Sequence, residues 1–420
     1  NGMKPYAIVG NGTAAVGTIE GIRSVDREGV ITVISAENHP VYCRPLISYY
    51  LEGKTKLENI GYRSADFYDK NGCVVYYGRT ATKLDPAIQT VTLDDGTAIP
   101  YDSICIATGS SPFVPPMDGL DTVEKKVPFL TLDDALTLES YCTPESRVLI
   151  VGAGLIGLKC AEGLCGRVGS ITVCDLADRV LSSIFDAEAA SVMESVLSEH
   201  GILFLLGDSV ARFEKNTAVM KSGTVVPFDV VVLAVGVRAN TALVRNAGGT
   251  VGRGITVDSH MRTSLPAVYA AGDCSETVDF SDGKTKVMAI MPNAYMEGYC
   301  AGVNMAGGVQ SFANAIPMNA IGFFGVHSMS AGSKVDPTED GCAVYAEKTE
   351  RAIKKLFVRD GRLVGFMLVG DDVLDRAGIY TNLIRSGTPL CEVDFEQLKI
   401  SPNLFSFGAK YRRKILGGMV

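Results

Sequence analysis

The chain has 420 residues, 47% of them apolar, which is too many for one ordinary core and suits two or three domains. Its 45 glycines gather in short motifs without a repeat, so collagen-like and disordered readings are excluded. A net charge of −8 argues against nucleic acid as a partner, and no uninterrupted apolar run reaches the length of a membrane span.

Asn1-Gly2 ahead of Met3 read as an added remnant; no secretory signal pattern follows, and the expected location is the cytoplasm. Lys4 to Val9 then reads as a short apolar strand. It runs into Gly10-Asn11-Gly12-Thr13-Ala14-Ala15, a helical pattern through Arg23, and the strand Ile31 to Ile34, with Glu37 just beyond. Further on, Arg147 to Val151 is another apolar strand. It runs into Gly152-Ala153-Gly154-Leu155-Ile156-Gly157, a helix through about Leu164, and Ile171 to Cys174, with Asp175 next. Both are βαβ units with a glycine-rich first turn.

Each unit has a matching tail. Asp95-Gly96-Thr97 through Ala107-Thr108-Gly109 closes the first, and Ser222-Gly223-Thr224 through Val235-Gly236 closes the second. Gly96 to Gly223 and Gly109 to Gly236 are both separations of 127, whereas Gly10 to Gly152 is 142. The first copy therefore carries 15 extra residues, much of them around Cys43 to Lys56. An insertion in one copy of a duplicated fold is often functional, so this one should cover what only the first copy binds.

The glycines serve a tight turn, close approach to a pyrophosphate, and close helix–strand contact. The helix start then offers unpaired N–H groups and partial positive charge to the diphosphate. In this reading Glu37 and Asp175 accept the adenosine ribose hydroxyls, and the Asp175 carboxylate selects NADH over NADPH by repelling a 2′-phosphate. The 11 cysteines include no CxxC pair, and Cys105, Cys160, Cys174 and Cys300 fall in apolar stretches, as reduced buried thiols do. His39, His200, His260 and His327 are isolated, so no metal is expected.

These motifs resemble the two-dinucleotide-fold flavoproteins of the pyridine nucleotide-disulfide oxidoreductase superfamily. The resemblance covers about the first 330 residues. Ala107-Thr108-Gly109 looks like its ATG motif, and Ala234 to Asn240 is similar to its second closing motif, with Ala239 where Pro is usual. Thr263 to Gly272-Asp273 looks like its second FAD motif, in which the aspartate holds the ribityl chain. The fold implied is α/β, with two Rossmann-like domains and a small α+β C-terminal domain. The FAD-binding domain would be discontinuous, residues 3–115 and 247–320. The NADH-binding domain would be 116–246, and 321–420 would support a possible homodimer, with strands near Ala352 to Val358 and Leu363 to Val369.

Within the superfamily, Tyr42-Cys43-Arg44-Pro45-Leu46-Ile47-Ser48 resembles the branch of rubredoxin reductases, nitrite reductase flavin domains and ferredoxin reductases. An arginine in the place of Arg44 contacts FAD there, and Pro45 belongs to the same segment. Tyr49 stands where ferredoxin reductases usually have lysine. The coenzyme A-disulfide reductase and NADH oxidase pattern would put its single cysteine at Pro45, which leaves Cys43 out of register. Lys159 stands where the family commonly has a nicotinamide-contacting glutamate, with Glu162 one turn further.

The expected FAD set is therefore Gly10, Gly12, Thr13, Ala14, Ala15, Glu37, Arg44, Pro45, Ala107, Thr108, Gly109, Gly272 and Asp273. The NADH set is Gly152, Gly154, Leu155, Ile156, Gly157, Asp175 and Gly236, with Lys159 on the nicotinamide side. The resemblance implies a relay from NADH through FAD to a small electron-acceptor protein, a partner subunit or a small-molecule acceptor. Two alternatives stay open: an NADH oxidase or small-disulfide reductase that uses Cys43, and a non-catalytic flavin subunit. The basic run Lys410-Tyr411-Arg412-Arg413-Lys414 reads either as a dock for an acidic iron-sulfur protein or as a solvated end.

Overall fold

The computed structural model describes residues 5–416, with side chains through residue 413. Lys4, the expected start of the first strand, and the Lys414 side chain lie outside the described residues. Contacts divide the chain into two compact units. One is Asn1–Asp178, His200–Val278 and Thr285–Ala313; the other is Arg179–Glu199, Asp279–Lys284 and Asn314–Val420.

The first unit holds both glycine-rich halves. The opening half contains β1 (Pro5–Val9), α1 (Thr13–Val25), β2 (Val30–Ser35), α2 (Leu46–Glu52), β3 (Cys73–Tyr77) and β4 (Ser103–Ile106). The next half contains β5 (Lys126–Pro128), α3 (Leu132–Tyr141), β6 (Arg147–Val151), α4 (Leu155–Leu164), β7 (Ser170–Asp175), β8 (Ile202–Leu206) and β9 (Val230–Leu233). The chain then returns as β10 (Val268–Ala270) and α5 (Met291–Met305).

Two five-stranded sheets result, in the orders β10-β4-β1-β2-β3 and β8-β7-β6-β9-β5. All their pairings are parallel. Both faces of such a sheet are covered, so its central strands are continuous apolar runs rather than alternating ones. Every residue of β4 and of β9 is buried. The two tails repeat in structure as in sequence. Strands Thr90–Leu93 and Ala98–Pro100 match Thr217–Met220 and Val225–Pro227, and each set lies in a small antiparallel sheet.

Helix α3 starts with a capping box between Thr131 and Asp134, a feature worth about 1 kcal/mol. Helices α1 and α5 cross at backbone contact. A Cβ on Gly17 would fall 2.3 Å from the Tyr295 carbonyl oxygen, and one on Gly298 would fall 2.1 Å from that of Ala14. Glycine inside a helix costs about 1 kcal/mol relative to alanine, so these positions trade helix propensity for close approach. Helix α5 in turn packs along β4 and β10.

The second unit is built on a five-stranded antiparallel sheet. Its strands are β11 (Met318–Phe323), β12 (Val326–Gly332), β13 (Cys342–Lys348), β14 (Ile353–Arg359) and β15 (Arg362–Val369), in the order β11-β12-β15-β14-β13. The strands expected near residues 352–358 and 363–369 are β14 and β15. Helix α6 (Ala377–Ser386) packs Tyr380, Leu383 and Ile384 on this sheet. The helix Ala187–Glu199 groups with this unit, as Lys355 bridges Asp186 and Glu188 at 2.6 Å each. Among the described residues no helix is long and apolar enough to cross a membrane.

Candidate functional site

The turns that carry Gly10, Ala107 and Gly272 follow the C-terminal ends of parallel strands that are in register. Gly10 N donates to Ile34 O at 2.8 Å, Ala107 N to Val9 O at 2.8 Å, and Ala271 N to Ile106 O at 3.1 Å. Gly10 sits at φ +121°, and a Cβ there would lie 1.9 Å from the Ala107 carbonyl oxygen. Gly12 is the opposite case: a Cβ there would meet no protein atom within 4 Å. Gly12 also caps α1 without any side-chain hydrogen bond. The start of α1 therefore offers Thr13, Ala14 and Ala15 amides beside open space, which is what a diphosphate needs. The turn after β10 touches this start, since a Cβ on Gly272 would lie 2.9 Å from that of Ala14.

Arg44 is held by both halves. Its Nη2 meets Glu37 Oε2 at 2.8 Å, and its Nη1 donates to Tyr42 Oη at 2.9 Å and to Leu130 O at 3.0 Å. Tyr42 in turn donates to Glu37 Oε1 at 2.5 Å and accepts the Leu132 amide at 2.9 Å. Glu37 thus carries a cation and a phenol, while a carboxylate has about four acceptor sites and keeps room for a ribose hydroxyl. Burial pushes the Asp273 carboxyl up, and the Arg44 charge opposes that shift. Pro45 caps α2, the helix of the extra segment. Cys43 is half-buried, and burial pushes its thiol up despite a hydrogen bond from Leu46 N–H. That environment disfavours a thiolate.

The second turn repeats the first. Gly152 sits at φ +118°, with a would-be Cβ 2.0 Å from the Ala234 carbonyl oxygen, and Gly154 again faces open space. Gly154 caps α4 without a side-chain bond, and Leu155 and Ile156 open that helix half-buried. A Cβ on Gly157 would fall 2.0 Å from Gly152 O, which closes the helix onto the turn. Asp175 is held by backbone: its Oδ2 accepts Ala153 N at 2.7 Å and its Oδ1 accepts Ala177 N at 2.8 Å. Gly236, three residues past β9, sits at φ +118° beside open space, as Gly109 sits three past β4 at +62°. Lys159 on α4 pairs with Glu162 at 2.8 Å, and its Nζ lies 5.7 Å from the Tyr49 ring centroid. The position that the family fills with an acid is thus a lysine engaged by the acid one turn on.

Three features were not read from the sequence. Tyr42 and Leu130 hold Arg44, which requires α3 of the other half to lie against the extra segment. Asn240 stitches the two closing motifs together: its N donates to Gly109 O at 2.9 Å and its Nδ2 to Thr108 O at 2.9 Å, while Thr108 Oγ1 donates to Asn240 O at 2.8 Å. Its place in the quoted motif was the available signal. Glu297 lies buried under Gly272, and a lone acid in the apolar run Tyr295 to Ala301 was the signal there.

Comparison with known proteins agrees with this geometry. The family described as pyridine nucleotide-disulphide oxidoreductase matches residues 4–298. The NADH-dependent phenylglyoxylate dehydrogenase subunit epsilon of Aromatoleum evansii is 35% identical over 395 residues, covering 92% of each chain. A nitrite reductase of Bacillus subtilis (strain 168) is 31% identical over 376 residues, covering 88% of this chain and 46% of its own, so the chain spans less than half of that protein. The solved structure of an NAD-dependent persulfide reductase from A. fulgidus superimposes with a TM-score of 0.84 at 28% identity, over 93% of this chain and 78% of the other. With two glycine-lined turns of matching geometry and a family match over more than half its length, the chain belongs to the pyridine nucleotide-disulphide oxidoreductases: it is an oxidoreductase that works with a flavin and a nicotinamide dinucleotide.

Proposed function

We propose that the chain holds FAD in the first fold and NADH in the second, and passes electrons from NADH to a small redox protein or a partner subunit. The supporting observation is the pair of turns at Gly12 and Gly154. Each combines an uncapped helix start with space that no protein atom fills, at the end of a parallel sheet. In this reading residues 3–115 with 247–320 serve FAD, and 116–246 serve NADH. A bound flavin supplies hydride acceptance and the delivery of electrons singly or in pairs.

The chain's own residues bind and orient. The start of α1 meets the diphosphate with N–H groups and the helix dipole. Arg44, fixed by Glu37, Tyr42 and Leu130, offers a cation that need not reorganise. Asp273 takes the ribityl hydroxyls. Asp175 takes the adenosine ribose of NADH and repels a 2′-phosphate. No protein thiol is needed, which fits a Cys43 thiol that burial keeps protonated.

A partner subunit as acceptor is supported by the Aromatoleum evansii relative, which is by name one subunit of a dehydrogenase. The test is anaerobic stopped-flow mixing with NADH, followed by turnover against rubredoxin, ferredoxin, coenzyme A disulfide and oxygen. Bleaching of the flavin and turnover with a protein acceptor are expected. A flavin that stays oxidised removes the first step. The likeness to a persulfide reductase favours a second reading, small-disulfide or persulfide reduction through Cys43. Loss of turnover with every acceptor in Cys43→Ser would replace the relay with that reading.

A further inference from the structure

Helix α5 carries a carboxyl group that the relay does not use. Glu297 is 3% exposed, although its helix neighbours are apolar or small. The backbone contact of Gly298 with Ala14 carries it beneath the turn that follows β10. There its Oε2 accepts the Gly272 N–H at 2.7 Å and the Ser275 hydroxyl at 3.1 Å. The Thr277 side chain also bonds this carboxyl. Gly272 immediately precedes Asp273, so Glu297 holds from below the backbone that presents Asp273 to the cofactor space.

A buried carboxyl, Glu297, and a half-buried one, Asp273, thus lie within electrostatic reach of each other. The groups that face Glu297 are Asp273 from the turn, Cys105 from β4 and Cys300 on its own helix. Arg44 faces Asp273 and already pairs with Glu37. Among the described residues no cation pairs with Glu297. Burial disfavours the charge on either acid, and the cation lies on the Asp273 side alone. Arg44 favours the charge on Asp273, which leaves the proton to Glu297. Burial pushes the Glu297 carboxyl up to about 8, against the pull of the Gly272, Ser275 and Thr277 donors and with a further push from Asp273.

We infer that Glu297 is the neutral positioning acid of the Gly272–Asp273 turn, and that its ionisation loosens FAD from the chain. This rests on the FAD reading of the first fold. A second negative charge beneath Asp273 repels both that carboxylate and the diphosphate at the adjoining start of α1. The proton is present at neutral pH and leaves as pH rises through about 8, so affinity falls on the alkaline side only. Stability follows the same proton: the unfolded carboxyl has lost it from near 4.5 upward, so stability declines with rising pH between there and about 8.

The experiment measures FAD release from the diluted holoprotein by flavin fluorescence between about pH 6.5 and about pH 9.5, together with thermal midpoints. Wild type is expected to lose affinity by about tenfold per pH unit above the transition. Glu297→Gln keeps the acceptor oxygen without a titratable proton, and its affinity should be flat over the same range. Ser275→Ala removes a donor that favours the charged form, so the loss should move to higher pH. In parallel, the infrared band of a protonated carboxylic acid should vanish with rising pH in wild type and be absent in Glu297→Gln at every pH. A purely structural acceptor predicts wild type and Glu297→Gln with the same pH slope and no such band, and that result overturns the inference while FAD binding stands. A protein that retains no FAD at any pH, in wild type and variants alike, overturns the underlying reading instead.

Discussion

Glu37, two residues past β2, and Asp175, the last residue of β7, each follow the glycine turn of their copy and are held in different ways. Glu37 is met by side chains, the Arg44 guanidinium and the Tyr42 phenol. Asp175 is met by backbone, the amides of Ala153 and Ala177. The side-chain clamp comes from the extra segment of the first copy, whereas the backbone clamp is a property of the glycine turn itself. A duplicated fold has therefore placed its first carboxylate under the control of an insertion and left the second under local geometry. The partners of the first carboxylate can be removed by point substitutions at Arg44 or Tyr42, whereas those of the second are backbone amides that side-chain substitution leaves in place.

The largest test of that separation uses the turn glycines. Gly10→Ala and Gly152→Ala each drive a Cβ to about 2 Å from a carbonyl oxygen at positive φ, for a local cost of about 3 kcal/mol or more. Gly10→Ala should purify without flavin. Gly152→Ala should stay yellow while its NADH affinity, read by anaerobic flavin bleaching against NADH concentration, falls at least about 100-fold. A colourless Gly152→Ala protein would break the comparison, because the two sites would then stand or fall together.

Arg44→Ala comes next. It takes the cation from Glu37 and from Asp273, so flavin affinity should fall by roughly 30-fold, or about 2 kcal/mol. NADH affinity measured on the fraction that keeps flavin should hold within about twofold, since Asp175 owes nothing to Arg44. Asp175→Asn keeps one acceptor oxygen and removes the charge. The preference for NADH over NADPH, as a ratio of kcat/KM, should shrink by about tenfold, or about 1.4 kcal/mol, and flavin content should not change. The smallest effect belongs to Cys43→Ser. Its thiol is held protonated by burial, so turnover with a protein acceptor should stay within about twofold of wild type.

Much of this frame is legible in the sequence. The βαβ units, their strand ends and both helix starts follow from apolar runs broken by glycines that need positive φ or bare backbone. The constant separation of 127 between the two tails reappears strand for strand, since β4 and β9 begin and end at that offset. Lys159 was legible as a departure from pattern, but its engagement with Glu162 against Tyr49 was not. That arrangement depends on α2 of the extra segment packing on α4 of the other half.

The sequence by itself determined the two turns, their paired acids and the inequality of the copies, because each of these is written in residues a few positions apart. Only the tertiary structure decided what those acids touch. Leu130 reaches Arg44 from 86 positions away, Asn240 reaches Thr108 from 132, and Glu297 reaches Gly272 from 25. Such contacts exist once helices and sheets have packed, and their strength comes from the burial that packing creates.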